Sequence, residues 1–266
     1  MTFQPIVIGP GLTGWRFLQR TYDSQFDTFN KSPEIKRDTE YFLERIGTIK
    51  RAEDLVGDRR LLRVALGAFG LQDDLNNRYF IRRILEDGTA REDALANRLA
   101  DDRYKRLSAA FGFGPGEFRK TSLETAMAEI AEQNRIQSFE VAVGAQDQTM
   151  RIALYAQREL GTLARQESSE KAKWFAMMGL PPLRQMFETA LGLPAGFGKE
   201  DIDKQADVFR DRTRSALGSD RMEQFADPEA VERLTNLYLA RSQIALFGAT
   251  FSPGANALTL LSASQG

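Results

Sequence analysis

An all-α fold is predicted for this chain of 266 residues, and three observations predict it. Large apolar residues recur at three- and four-residue steps along most of the sequence, the spacing that gathers side chains on one face of a helix. Glycines and prolines fall where such runs end or begin. The two strand-like runs, Ile6-Val7-Ile8 and Phe139 to Val143, are isolated, and a lone strand has nothing to pair with. The expected architecture is a compact array of ten to thirteen helices, with repeated helix-pair modules as one reading of it, either as one body or as two lobes divided near residues 144–149.

Residues 1–13 read as a glycine-rich lead-in to a helical domain over 14–247. After Gly14, the residues Trp15, Leu18, Tyr22, Phe26 and Phe29 stack on one face of a first helix. Ser32 and Pro33 serve as N-cap and first position of a second, whose buried stripe is Ile35, Thr39, Phe42 and Ile46 and whose stop is Gly47. Asp58 caps a third, with Leu61, Leu62, Ala65, Leu66 and Phe69 inward and Gly70 as its left-handed terminus. A fourth runs over 73–87 and ends at Gly88. Tyr104, Leu107, Ala110 and Phe111 mark a short helix closed by Gly112. The cluster Gly112, Gly114, Pro115 and Gly116 is the plainest break in the first half, and a long amphipathic helix follows over 122–143. Ile152, Ala156 and Leu163 continue the helical spacing, and further helices are expected over 171–178, 182–191, 201–217 and 228–244. Residues 248–266 form a tail without any charge.

Composition removes several function classes. Lys and Arg number 36 against 37 Asp and Glu, a net charge of −1, which offers no global field for nucleic acid or an anionic membrane. There is no histidine and no cysteine. Ser-His-Asp and Cys-His nucleophile systems, disulfides, iron–sulfur clusters and the ordinary His/Cys zinc sites are therefore excluded. No apolar stretch reaches the roughly 18 residues that a membrane span needs, and Met1 to Leu12 lacks a basic n-region and a cleavage site. The expectation is a cytoplasmic protein.

Four motifs invite a chemical reading. Gly9-Pro10-Gly11-Leu12-Thr13-Gly14 follows a short apolar run and precedes a helix, the order of a dinucleotide fingerprint. The second strand with an acidic end is missing downstream, and a proline removes one amide from the turn. The acidic pairs Asp73-Asp74, Asp101-Asp102 and Asp201-Ile202-Asp203 stand at helix starts and read as caps, not as calcium loops. Lys50-Arg51, Arg59-Arg60, Arg63, Arg78, Arg82-Arg83 and Arg91 interleave with Asp54, Asp58, Glu86 and Asp87, the pattern of a salt-bridged helix surface. Trp174-Phe175-Ala176-Met177-Met178 reads as core filling. A weak repeat links Leu62 to Leu71, Tyr104 to Phe113 and Leu183 to Leu193, each a short helix ending in a bulky residue, a glycine and another bulky residue. Either the repeat reports a common way of ending helices, or it reports duplicated modules. No catalytic, cofactor or metal-binding residue is assigned. The tail either folds back over the helical core or docks on a partner or a second copy, and in the docking reading the partner-binding candidates are Phe247, Phe251, Leu258, Leu260 and Leu261, large apolar residues at and beyond the edge of the uncharged segment.

Several separated strings resemble one family in the same order. They are Lys36 to Phe42, Ala65 to Leu71, Phe80 to Gly88, Ala96 to Tyr104 with Phe111-Gly112-Phe113, Pro182-Leu183-Arg184, Phe187 to Pro194, Phe225 to Pro228, and Tyr238 to Arg241. Over roughly residues 20 to 245 the chain resembles domain of unknown function 1217, an alphaproteobacterial family associated with flagellar gene clusters. The resemblance implies a non-enzymatic, flagellum-associated protein that works through protein contacts at the flagellar base. It carries no catalytic residues with it. A cytoplasmic chaperone or export adaptor is the alternative reading, and an enzyme using carboxylates, or a nucleotide at the loop from Gly9 to Gly14, is a second one.

Overall fold

Among residues 3–250, which the computed structural model describes, the chain forms thirteen α-helices, four short 3-10 helices and no strand. The helices are α1 (Gly11–Asn30), α2 (Pro33–Arg45), α3 (Ala52–Gly57), α4 (Arg59–Ala68), α5 (Arg78–Asp87), α6 (Leu95–Arg98), α7 (Asp102–Phe111), α8 (Glu124–Gly144), α9 (Gln148–Ala164), α10 (Glu170–Met178), α11 (Pro181–Leu191), α12 (Ile202–Leu217) and α13 (Pro228–Thr250). The 3-10 helices cover Ile46–Thr48, Gln72–Asn76, Phe197–Lys199 and Met222–Ala226. The chain divides into two units. Among the described residues, the first holds 19–146 with 3–6 and 179–181, and the second holds 7–18, 147–178 and 182–250.

In the first unit the core is drawn from α2, α3, α4, α5, α7 and α8. Phe42, Leu55, Leu62, Leu66, Ile81, Leu107, Phe111 and Met127 are buried in one cluster. Helix α4 lies against α8 at close range because Gly67 has no side chain; a Cβ there would collide with Asn134 Oδ1. Phe139, expected on helical grounds, is indeed within α8. Three rings of α1, Tyr22, Phe26 and Phe29, meet it edge-on with centroids 5.3–5.6 Å away, the geometry that the ring quadrupoles favour. In the second unit, Phe187 of α11 receives Trp174, Phe209 and Phe225 edge-on at 5.7, 6.3 and 5.6 Å. Trp174, Met177 and Met178 are core, as their spacing predicts. Helix α13 packs on α9 and on Met222–Ala226.

Several boundaries differ from the sequence reading, each for a local reason. Helix α1 starts at Gly11, inside the expected lead-in, because Gly14 leaves room for the Gly9 carbonyl to fold over the first turn. Ser32 precedes α2 but makes no side-chain cap; its hydroxyl accepts from Phe3 N at 3.1 Å. The helix expected over 73–87 is two elements. Asn77 Nδ2 donates to Asp74 Oδ1 at 2.6 Å, a side-chain bond that competes with the helical ladder, and the regular helix begins only at Arg78. Helices α3 and α6 were not expected. Helix α13 continues to Thr250, beyond the expected 244.

The three bulky-Gly-bulky echoes are helix C-caps with positive φ at Gly70 (+68°), Gly112 (+64°) and Gly192 (+66°). In the first and third, the residue after the glycine closes a six-residue loop, Leu71 N to Leu66 O and Leu193 N to Glu188 O, both 2.9 Å.

Candidate functional site

The loop from Gly9 to Gly14 is built as a helix entry. Ile6 N donates to Gln25 Oε1 at 2.6 Å and Ile6 O accepts from Gln25 Nε2 at 3.1 Å, so a side chain of α1 takes the place of a neighbouring strand. The parallel sheet that a dinucleotide fingerprint requires is absent among the described residues.

Asp101 caps α7 through Arg103 N at 3.0 Å, and Asp201 caps α12 through Asp203 N at 3.0 Å and Lys204 N at 3.3 Å. Asp73 and Asp74 do not cap: they fall within Gln72–Asn76, and Asp74 instead accepts from Asn77 and, at 2.6 Å, from the Tyr104 hydroxyl. Burial, then that carboxylate, push the Tyr104 hydroxyl's pKa well above its ordinary value. The arginines of the first unit are largely paired, Arg60 and Arg63 with Asp38, Arg82 with Glu53 and Glu86, Arg83 with Asp87 and Arg91 with Asp93. In the second unit Lys173 is buried against Ala164 O at 2.9 Å, with Glu223 at 3.4 Å and Glu170 at 3.7 Å, a tie between α10 and the 3-10 helix before α13. Among the described residues, no three Asp or Glu side chains are grouped so as to hold a metal ion.

Two concavities lie in the first unit, among the described residues. The larger, about 580 Å³, opens where α2 ends and α8 begins. Its apolar residues include Ile46 and Met127, both buried, Leu43, which is 45% exposed, and exposed Ala128. Thr121 Oγ1 donates to Ile49 O at 2.8 Å and so fixes the entry of α8 to the turn that leaves α2. Glu44 and Glu124 complete the lining, and neither forms an ion pair among the described residues. Leu43, partly held in water at the groove, forgoes part of the roughly 1.5–3 kcal/mol that full burial of a large apolar side chain returns.

The smaller concavity, about 400 Å³, lies beside the glycine cluster that the sequence marks as a break. The cluster is tightly packed. Gly112 closes α7 in the left-handed conformation, Gly88 and Gly114 approach each other directly, and a Cβ on either would overlap the other's Cα. Glu117 pins the assembly, accepting from Thr89 N, from Thr89 Oγ1 at 2.9 Å, from Ala90 N at 3.1 Å and from Gly114 N at 3.3 Å. Burial works to raise its pKa, but the donors at Thr89, Gly114 and Ala90 outweigh it and hold the carboxyl below the ordinary value.

Of the residues expected to bind a partner, Phe251, Leu258, Leu260 and Leu261 lie outside the described residues; Phe247 lies in α13, of which only the backbone is described there. No signal along the sequence marks the groove or the smaller cavity, because each is assembled from segments far apart in the chain.

These features define an all-α protein of two helical units, one of them carrying an open apolar groove. The chain belongs to the family described as protein of unknown function DUF1217, whose model matches residues 68–231. That match includes Met127 and the glycine cluster and begins after Leu43 and Ile46. Among solved structures the chain is similar to protein AGR_C_984 from Agrobacterium tumefaciens, at 27% identity over 89% of this chain and 97% of that one, with a TM-score of 0.70. A search of curated proteins finds no match. No helix among the described residues is long and apolar enough to cross a membrane.

Proposed function

We propose that this is a non-enzymatic, flagellum-associated protein of the cytoplasm that acts through protein contacts at the flagellar base, and that the groove between α2 and α8 receives the partner. The observation that carries the docking reading is exposed Leu43 beside an apolar floor of Ile46 and Met127, with two unpaired carboxylates, Glu44 and Glu124, in the same lining. The complementary partner is an amphipathic helix whose apolar residues enter the groove and whose Lys or Arg residues meet the carboxylates. The flagellar setting rests on the resemblance to a family associated with flagellar gene clusters. The uncharged segment over 248–266 is proposed as a second docking element.

The test is the double substitution Leu43→Asp with Ala128→Asp, both in the groove lining, in the source bacterium. Both residues are exposed, so stability should change by no more than about 0.5 kcal/mol per site. Swimming should be impaired, and the variant should be lost from purified basal bodies that retain the native protein. Impaired swimming with no native protein in basal bodies would favour the export-adaptor reading. Normal swimming in the double variant overturns the groove, and normal motility of a deletion strain with a changed metabolite profile overturns the flagellar reading altogether.

A further inference from the structure

We propose that the 400 Å³ cavity beside the glycine cluster is an oxyanion site, taking a small molecule that carries a phosphate or carboxylate group. The inference is independent of the docking groove. Five charged side chains line the cavity: Lys50, Arg51, Glu86, Glu117 and Arg119. Three of them are already satisfied inside the protein. Glu86 accepts from Arg82 Nε at 2.7 Å, Glu117 is saturated by its four donors, and Arg51 faces Asp54 at 3.4 Å and Glu53 at 3.8 Å.

That leaves two cations. Neither Arg119 nor Lys50 forms an ion pair or a side-chain hydrogen bond among the described residues. An oxyanion in the cavity supplies the acceptor these two cations lack: the planar guanidinium matches phosphate or carboxylate oxygens through two parallel N–H donors, and Lys50 adds a point charge in the same lining. The cavity is also of the size that small-molecule sites take, and its backbone walls, Gly112 to Gly114, are held rigid by Glu117 and by the contact with Gly88. Glu117, whose carboxyl is spent on backbone and Thr89 donors, shapes the cavity without competing for its cations.

Calorimetric titration of the full-length protein with inorganic phosphate, and separately with acetate, tests the site. Native protein should bind at least one of them saturably, and the better of the two identifies the group recognised. Arg119→Gln should weaken that binding by at least about tenfold and Lys50→Gln by less, while Lys36→Gln, which removes an exposed cation paired with Glu40 on α2, should leave it unchanged. Arg119→Lys keeps the charge and loses the fork, and should fall between native and Arg119→Gln, which keeps the comparison valid if the glutamine variant folds poorly. Absence of saturable binding to either anion, or equal binding by the native protein and the correctly folded Arg119 variants, overturns the proposal.

Discussion

At the scale of single residues the chain depends most sharply on glycines whose neighbours are remote in sequence. Gly88 adopts φ +70° and ψ −156°, a region essentially reserved for glycine, and a Cβ there would lie 2.7 Å from Gly114 Cα and 2.8 Å from Glu117 Oε1. Gly116 also has a positive φ, +77°, but nothing lies within 4 Å of where its Cβ would be. Gly88→Ala is therefore expected to cost about 2–4 kcal/mol, combining backbone strain with overpacking, and Gly116→Ala only the backbone part, about 1–2 kcal/mol. Urea denaturation of the two variants measures the difference; equal losses would show that the contact with Gly114 carries no energy. The sequence marks both glycines as chain breaks. It does not reveal that Gly88 is wedged against a glycine 26 positions later, because close approach is a property of the folded backbone.

At the scale of elements, helix ends are where local chemistry and tertiary structure agree or part. Asp58 caps α4 by accepting from Arg60 N at 2.9 Å and Leu61 N at 3.1 Å, and it also receives the Tyr41 hydroxyl of α2 at 2.6 Å. Asp201 makes the same kind of cap on α12 in an exposed setting, with no second helix bound to it. Asp58→Ala is expected to lose about 1–2 kcal/mol and Asp201→Ala about 0.5–1 kcal/mol, read from urea midpoints, because only the first substitution also strands a hydroxyl. Asp58, Asp101 and Asp201 are legible in the sequence because a cap and its amides lie within three residues. Asp74 is not, because one of its partners, Tyr104, belongs to a different helix. The short helices α3 and α6, six and four residues long, lie below the window in which an apolar period shows, whereas α1 and α9 display it over 20 and 17 residues.

Across the whole molecule one order of elements occurs twice. In the first unit α4, Gly70, the 3-10 helix Gln72–Asn76, α5 and Gly88 follow one another; in the second, α11, Gly192, Phe197–Lys199, α12 and Gly218 do. Each series continues through a short helical piece to a helix capped by an aspartate, Asp101 to Arg103 N and Asp227 to Glu229 N, both 3.0 Å. The echo between Leu62–Leu71 and Leu183–Leu193 in the sequence marks equivalent places in these two series, while the echo at Tyr104–Phe113 is the end of α7. The all-α class was thus legible from period and punctuation, but the concavities were not, since groove and cavity each join segments some 30 to 80 positions apart. Charge gives the last whole-molecule expectation. Asp58 is pulled below its ordinary pKa of 3.8, burial opposing and Tyr41 with the α4 amides prevailing, and Glu117 is held below its ordinary 4.5. In both cases the unfolded chain binds protons at a higher pH than the folded one, so the stability these carboxylates contribute is fully present above about pH 5 and is lost as pH falls through the folded values. The thermal midpoint of the native protein should be nearly flat from pH 7 to about 5 and then decline. Glu117→Gln should melt lower than native at pH 7, and the gap should close on acidification, because protonation removes from the native chain the charge that the variant already lacks. Two melting curves that stay equally far apart down to about pH 3 would show that the Glu117 carboxylate is not what holds the glycine cluster together.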